Sequence, residues 1–119
     1  MTIFTFGINY RTAALDLREK VAFVPENMTK ALCNAIEVTG ISEVAILSTC
    51  NRTEIYFVDS DDSYESTKKI LDWLVDYHQL SPSELSNCCY TYKNEDAVKH
   101  IMRVASGLDS MILCEPQIL

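Results

Sequence analysis

The chain has 119 residues, 48% of them apolar and 23% charged, with a formal net charge of −7. That is one domain of ordinary globular composition, and its acidic balance argues against a self-sufficient nucleic-acid binder, which would normally carry a basic excess. No apolar run reaches the length of a membrane span, the start MTIFTFGINY has no signal-peptide pattern, and the five cysteines (33, 50, 88, 89 and 114) follow no disulfide or zinc spacing, so a cytosolic protein without a metal is expected.

In chain order, Ile3 to Asn9 alternates as a strand with Phe4, Phe6 and Ile8 on one face. Tyr10 to Lys20 is a polar stretch. Pro25 suits a first helical position, and Met28, Ala31, Leu32, Ala35 and Ile36 fall at helical spacing before Gly40, a natural terminator. Val44 to Leu47 and Thr53 to Val58 read as adjacent strands. A second helix carries Ile70, Leu71, Leu74 and Tyr77 inward and Lys68, Lys69, Asp72 and Asp76 outward. Ser81-Pro82-Ser83-Glu84 is a capping box opening a short helix. Cys88 to Tyr92 reads as a strand, and Asn94 as the cap of a last helix whose stripe is Val98, Ile101, Met102 and Ala105. The order β-α-β-β-α-β-α predicts an α+β fold: a ferredoxin-like split βαβ sheet with helices on one face, plus the C-terminal helix. The end, from Ser106 to Leu119, has no helix terminator, and Pro116 opens a helix that the chain does not complete, which reads as a fragment of a longer protein.

Cys50 falls in the connection between the two adjacent strands. A cysteine is often just a small buried apolar residue. Ser48, Thr49, Asn51, Arg52 and Thr53 around it would each need a partner in a core, so an exposed, donor-rich setting that favours thiolate is the other reading, with Arg52 and the loop amides supplying it. A phosphatase loop is excluded, because Tyr56 stands where its arginine would be. His100 lies roughly 140° from the middle of its helix's apolar stripe, so it reads either as a surface histidine or as a partner of the thiol, not as a core filler. His78 reads as structural, and Cys33, Cys88 and Cys89 carry no assigned function. The three glycines, at 7, 40 and 107, build neither a G-x-G-x-x-G nor a P-loop.

Four stretches, GINYRTA (Gly7–Ala13), LREKVAF (Leu17–Phe23), LSTCNRTEIY (Leu47–Tyr56) and HIMRVASGLDSMILCEPQIL (His100–Leu119), together resemble the glutamyl-tRNA reductase family. The resemblance implies that Cys50 attacks the ester of glutamyl-tRNA(Glu), holds glutamate as a thioester, and yields glutamate-1-semialdehyde after hydride transfer from NADPH, the first step of tetrapyrrole synthesis. It assigns Thr49, Asn51 and Arg52 to the glutamyl group, with Arg52 as a carboxylate fork, and His100 to proton transfer. Ser110, Glu115, Pro116 and Gln117 correspond to further substrate positions, although Glu115-Pro116-Gln117 also reads as a helix start. Residues 1–105 would be the catalytic domain, and 106–119 a substrate-contacting segment leading into a linker helix. Domains for NADPH and for homodimerisation would lie outside the chain, and the product would pass to glutamate-1-semialdehyde aminomutase. Cys114 departs from the family, which usually has glycine there. Two rivals remain open: an interaction module, which predicts a buried, inert Cys50, and a redox-sensing thiol protein, which predicts a peroxide-sensitive one.

Overall fold

The structure, a computed structural model, describes residues 1–60 and 63–107. Its elements are β1 (Thr2–Asn9), α1 (Leu15–Lys20), a 3-10 turn at Pro25–Asn27, α2 (Met28–Thr39), β2 (Glu43–Ser48), β3 (Arg52–Asp59), α3 (Glu65–Tyr77), α4 (Pro82–Ser86), β4 (Tyr90–Lys93) and α5 (Glu95–Ala105). The strands form one antiparallel sheet in the order β2-β3-β1-β4. Because β3 sits between β1 and β2, and β1 between β3 and β4, each helical connection spans an intervening strand. This is the split βαβ arrangement that the element order implies.

The pleat sorts the strands' side chains onto two unlike faces. Register places Phe4 opposite Phe57, Phe6 opposite Ile55 and Ile8 opposite Thr53. This apolar face meets α2 and α3 through Ala31, Ala35, Ile70, Trp73 and Leu74. Phe4 and Phe57 stack at 5.0 Å, and the Trp73 indole N–H donates to Asn34 Oδ1 at 2.7 Å, so its polar edge is satisfied. The alternate positions, Thr5, Gly7, Asn9, Arg52, Glu54 and Tyr56, point to the opposite face, where α5 crosses β1 and β4.

Two of the helix ends follow from local chemistry. Gly40 closes α2 at φ 76°, a left-handed conformation that costs a residue without a Cβ little. The capping box at Ser81 forms, its N–H donating to Glu84 at 2.9 Å.

Several local expectations need correction. The polar stretch from Tyr10 contains α1, a six-residue helix with no buried residue and therefore no apolar stripe to reveal it. Cys88 and Cys89 precede β4 rather than lying in it, the Cys88 N–H closing a turn onto Leu85 O at 3.0 Å. On α2, Ile36 is exposed and Thr39 is buried instead, its hydroxyl bonded back to Ala35 O at 2.6 Å. Asn94 holds the N-cap position of α5, its carbonyl accepting the Val98 N–H at 3.0 Å, but its side chain makes no capping bond. With φ 52°, Asn94 instead exchanges hydrogen bonds with the Ile3 backbone. The stripe on α5 is also wrong: Val98 is 39% and Met102 66% exposed, while Ala97, His100 and Val104 are buried. This helix packs on a polar sheet face, where a small Ala97 permits close approach and His100 finds a carboxylate.

Candidate active site

The β2–β3 connection is a three-residue turn, Thr49-Cys50-Asn51, closed by the Thr49 N–H on Arg52 O at 2.8 Å. The Thr49 hydroxyl accepts the N–H groups of Asn51 and Arg52, both at 3.2 Å, so Thr49 and Asn51 shape the loop from inside. Cys50 at its tip is exposed. The turn is held from the side by the segment after α1. The Phe23 N–H donates to Ser48 Oγ at 2.9 Å, and Ser48 also bonds Thr53 Oγ1 at 3.2 Å. Arg18, on α1, donates from Nη1 to the Cys50 carbonyl at 3.1 Å. Together Arg18, Phe23, Ser48, Thr49 and Cys50 line an open cleft of about 330 Å³.

Upstream, Asn9 ends β1 and turns the chain by accepting the Arg11 and Thr12 N–H groups on its side chain, at 2.9 and 3.2 Å. Asn9 is the register partner of Arg52, which brings the GINYRTA turn beside the start of β3.

On the polar sheet face the centre is Glu54, which is 0% exposed. Its Oε2 accepts His100 Nε2 at 2.5 Å, Arg52 Nη1 at 3.3 Å and the Tyr90 hydroxyl, while its Oε1 accepts the Tyr56 hydroxyl at 2.5 Å. Burial pushes the Glu54 carboxyl up, but the hydrogen bonds from His100, Tyr56 and Tyr90 outweigh it and hold the group below its ordinary range. Burial, and then the negative charge of Glu54, push both the Tyr56 and the Tyr90 phenols well above the usual tyrosine range. These hydroxyls are therefore donors at any working pH. The His100 ring stacks on Tyr92 at 4.6 Å and meets the Tyr90 ring edge-on at 5.5 Å.

His100 is thus not the outward-facing histidine that its helical position suggested. It is 8% exposed and hydrogen-bonded to Glu54 rather than to Cys50. Arg52 is 3% exposed and lies against the same carboxylate, while Arg18 is a cation that donates to the thiol's own residue, at the Cys50 carbonyl. Thr49, Cys50, Asn51 and Arg52 are brought together in one turn, and His100 joins Arg52 through Glu54. Ser110, Cys114, Glu115, Pro116 and Gln117 lie outside the described residues. Sequence reading missed Arg18, Glu54, Tyr56 and Tyr90. The signal available for two of them was the alternation Arg52-x-Glu54-x-Tyr56, three polar side chains on one face of a strand. Among the described residues no group of three or more His, Cys, Asp or Glu could hold a metal ion, and no helix is long and apolar enough to cross a membrane.

Residues 6–119 match the family model described as glutamyl-tRNAGlu reductase, N-terminal domain. Over all 119 residues the chain is 51% identical to the glutamyl-tRNA reductase of Marinobacter nauticus, covering 27% of that protein. It is 50% identical to that of Pseudomonas aeruginosa, covering 28% of it. The chain therefore spans roughly a quarter of the length of these curated relatives. A solved structure of glutamyl-tRNA reductase from Methanopyrus kandleri superposes with a TM-score of 0.69 at 26% identity, covering 98% of this chain and 25% of that one.

Proposed function

The chain belongs to the glutamyl-tRNA reductase N-terminal domain family, and we propose that it is the part of such an enzyme that captures glutamate on Cys50. The Cys50 sulfur attacks the carbonyl carbon of the glutamyl ester. A C–S bond forms, the C–O bond to the terminal ribose breaks, and the thiol's proton ends on the released tRNA hydroxyl. Covalent capture divides a difficult reduction into two easier steps. The observation that carries this reading is the position of Cys50: exposed at a hairpin tip, beside an open cleft, with the Arg18 guanidinium on its carbonyl. An interaction module would instead bury the thiol.

Thr49, Asn51 and Arg52 are assigned to the glutamyl group, His100 to proton transfer, and Ser110, Glu115, Pro116 and Gln117 to further substrate contacts. The NADPH that would supply hydride to such a thioester calls for a glycine-rich phosphate loop. Gly7 lies within β1, where an added Cβ would stand 2.4 Å from the Thr53 carbonyl, and Gly40 closes α2. Gly107 follows the end of α5, and none of these three glycines lies in a strand-to-helix phosphate loop. NADPH and a homodimer contact are accordingly assigned to other parts of the whole protein, which would act in the cytoplasm at the first step of tetrapyrrole synthesis and pass its product to glutamate-1-semialdehyde aminomutase.

The test is release of tRNA from glutamyl-tRNA without NADPH. The protein should accelerate release and Cys50→Ser should abolish the acceleration. Equal release by the two proteins would overturn the proposal.

A further inference from the structure

We propose that Glu54 is the positioning residue of this site, its one carboxylate fixing both the His100 imidazole and the Arg52 guanidinium for work on the glutamyl ester. The inference rests on the Cys50 reading above and adds a residue that this reading does not use.

A fully buried carboxylate costs several kcal/mol unless it is paired, so its retention at the centre of a sheet calls for compensation. The fold is shaped around it. Gly7 faces Glu54 across the β1–β3 pair, and a Cβ on Gly7 would lie 3.0 Å from Glu54 Cγ and closer still to the backbone of Thr53 and Glu54. Glycine at this position leaves the room that Glu54 occupies.

Three donors from three elements then converge on Oε2: Arg52 from β3, Tyr90 from β4 and His100 from α5. A carboxylate is an acceptor, so His100 Nε2 carries the hydrogen and Nδ1 is left as the nitrogen with a free lone pair in the neutral ring. Tyr92 on one ring face and Tyr90 at the edge oppose rotation. The outer side of His100 opens on a cleft of about 340 Å³ that it shares with Asp96, Lys99 and Arg103. Arg52 is drawn to the same oxygen two residues from the thiol. Glu54 thus sets the tautomer and orientation of one side chain and the reach of another without needing to touch substrate itself.

A purely structural buried cluster would lose stability when altered and keep its turnover. The discriminating measurement is tRNA release from glutamyl-tRNA, with kcat and KM determined separately and melting temperature measured alongside. Glu54→Gln should lower kcat by about a hundredfold, the low end of what a positioned proton-transfer group contributes, with a smaller change in KM. In a His100→Asn background the same substitution should cause a smaller loss of kcat than it does alone, because the part of its effect that runs through His100 is already gone and only the part through Arg52 is left. If Glu54→Gln does not fold, Glu54→Asp keeps the charge but withdraws it by roughly one C–C bond, ~1.5 Å, and should show the same kcat loss. Wild-type kcat in a folded Glu54→Gln or Glu54→Asp, or full multiplicative losses with His100→Asn, would overturn the inference. If Cys50→Ser abolishes release while the Glu54 variants retain it, Glu54 alone is misassigned. If release survives Cys50→Ser, the reading beneath the inference fails with it.

Discussion

Glu54 carries four hydrogen-bond donors on one buried carboxylate, and that arrangement has a pH signature. Burial raises its proton affinity from the ordinary 4.5, but the bonds from His100, Tyr56 and Tyr90 more than reverse this, so the folded-state value is depressed. Below 4.5 the unfolded chain takes up a proton at this site before the folded chain does. The stability that Glu54 contributes is therefore fully present above that value and is lost as pH falls through the folded one. Thermal unfolding followed from about pH 6 to about pH 3 should show an acid limb that Glu54→Gln flattens. Superimposable acid limbs would contradict the pairing. The thiols make a second residue-scale prediction. Burial raises the Cys89 thiol above its ordinary value, whereas Cys50 is exposed at a hairpin tip. Since thiolate is the reactive form, iodoacetamide at neutral pH should label Cys50 faster than Cys89, with the order read by peptide mapping. Faster labelling of Cys89 would mean that the turn shields Cys50.

At the scale of elements, the strands were legible and one helix face was not. The β1 alternation of Phe4, Phe6 and Ile8 announces a core face because each of these side chains gains about 1.5–3 kcal/mol by leaving water. On α5 the same logic picks Val98 and Met102, and the structure leaves both exposed. The helix is held instead by Ala97, His100 and Val104 against a polar sheet face, so its inward side is decided by a carboxylate on β3 that helical periodicity cannot see. For the same reason the turn around Cys50 could be read from sequence, being local, whereas the approach of Arg18 and the bond between residues 54 and 100 could not. Close strand pairing gives a third prediction. Gly7→Ala should destabilise by about 1–3 kcal/mol, because its Cβ meets immovable backbone. Gly40→Ala should cost only about 1 kcal/mol, the strain of a left-handed residue, since nothing lies within 4 Å of an added Cβ there. Chemical denaturation of the two variants tests the order, and a larger loss for Gly40→Ala would contradict the register drawn here.

For the whole molecule, the ferredoxin-like sheet divides the work between its faces. One carries the apolar core under α2 and α3. The other carries Arg52, Glu54, Tyr56 and His100, continuous along β3 with the turn that presents Cys50. A net charge of −7 is poorly suited to holding tRNA by its phosphates, and the chain spans roughly a quarter of its curated relatives, so the proposed role of this chain is the chemistry of capture rather than the grip on the nucleic acid. The central claim is that Cys50 becomes acylated. Incubating the protein with glutamyl-tRNA carrying labelled glutamate, quenching in acid and sequencing the modified peptide by mass spectrometry tests it most directly. The account predicts a hydroxylamine-sensitive glutamyl thioester on Cys50 that is absent from Cys50→Ser. Glutamate attached to Cys33, Cys88 or Cys89, or no acylated peptide while tRNA is released, would contradict it.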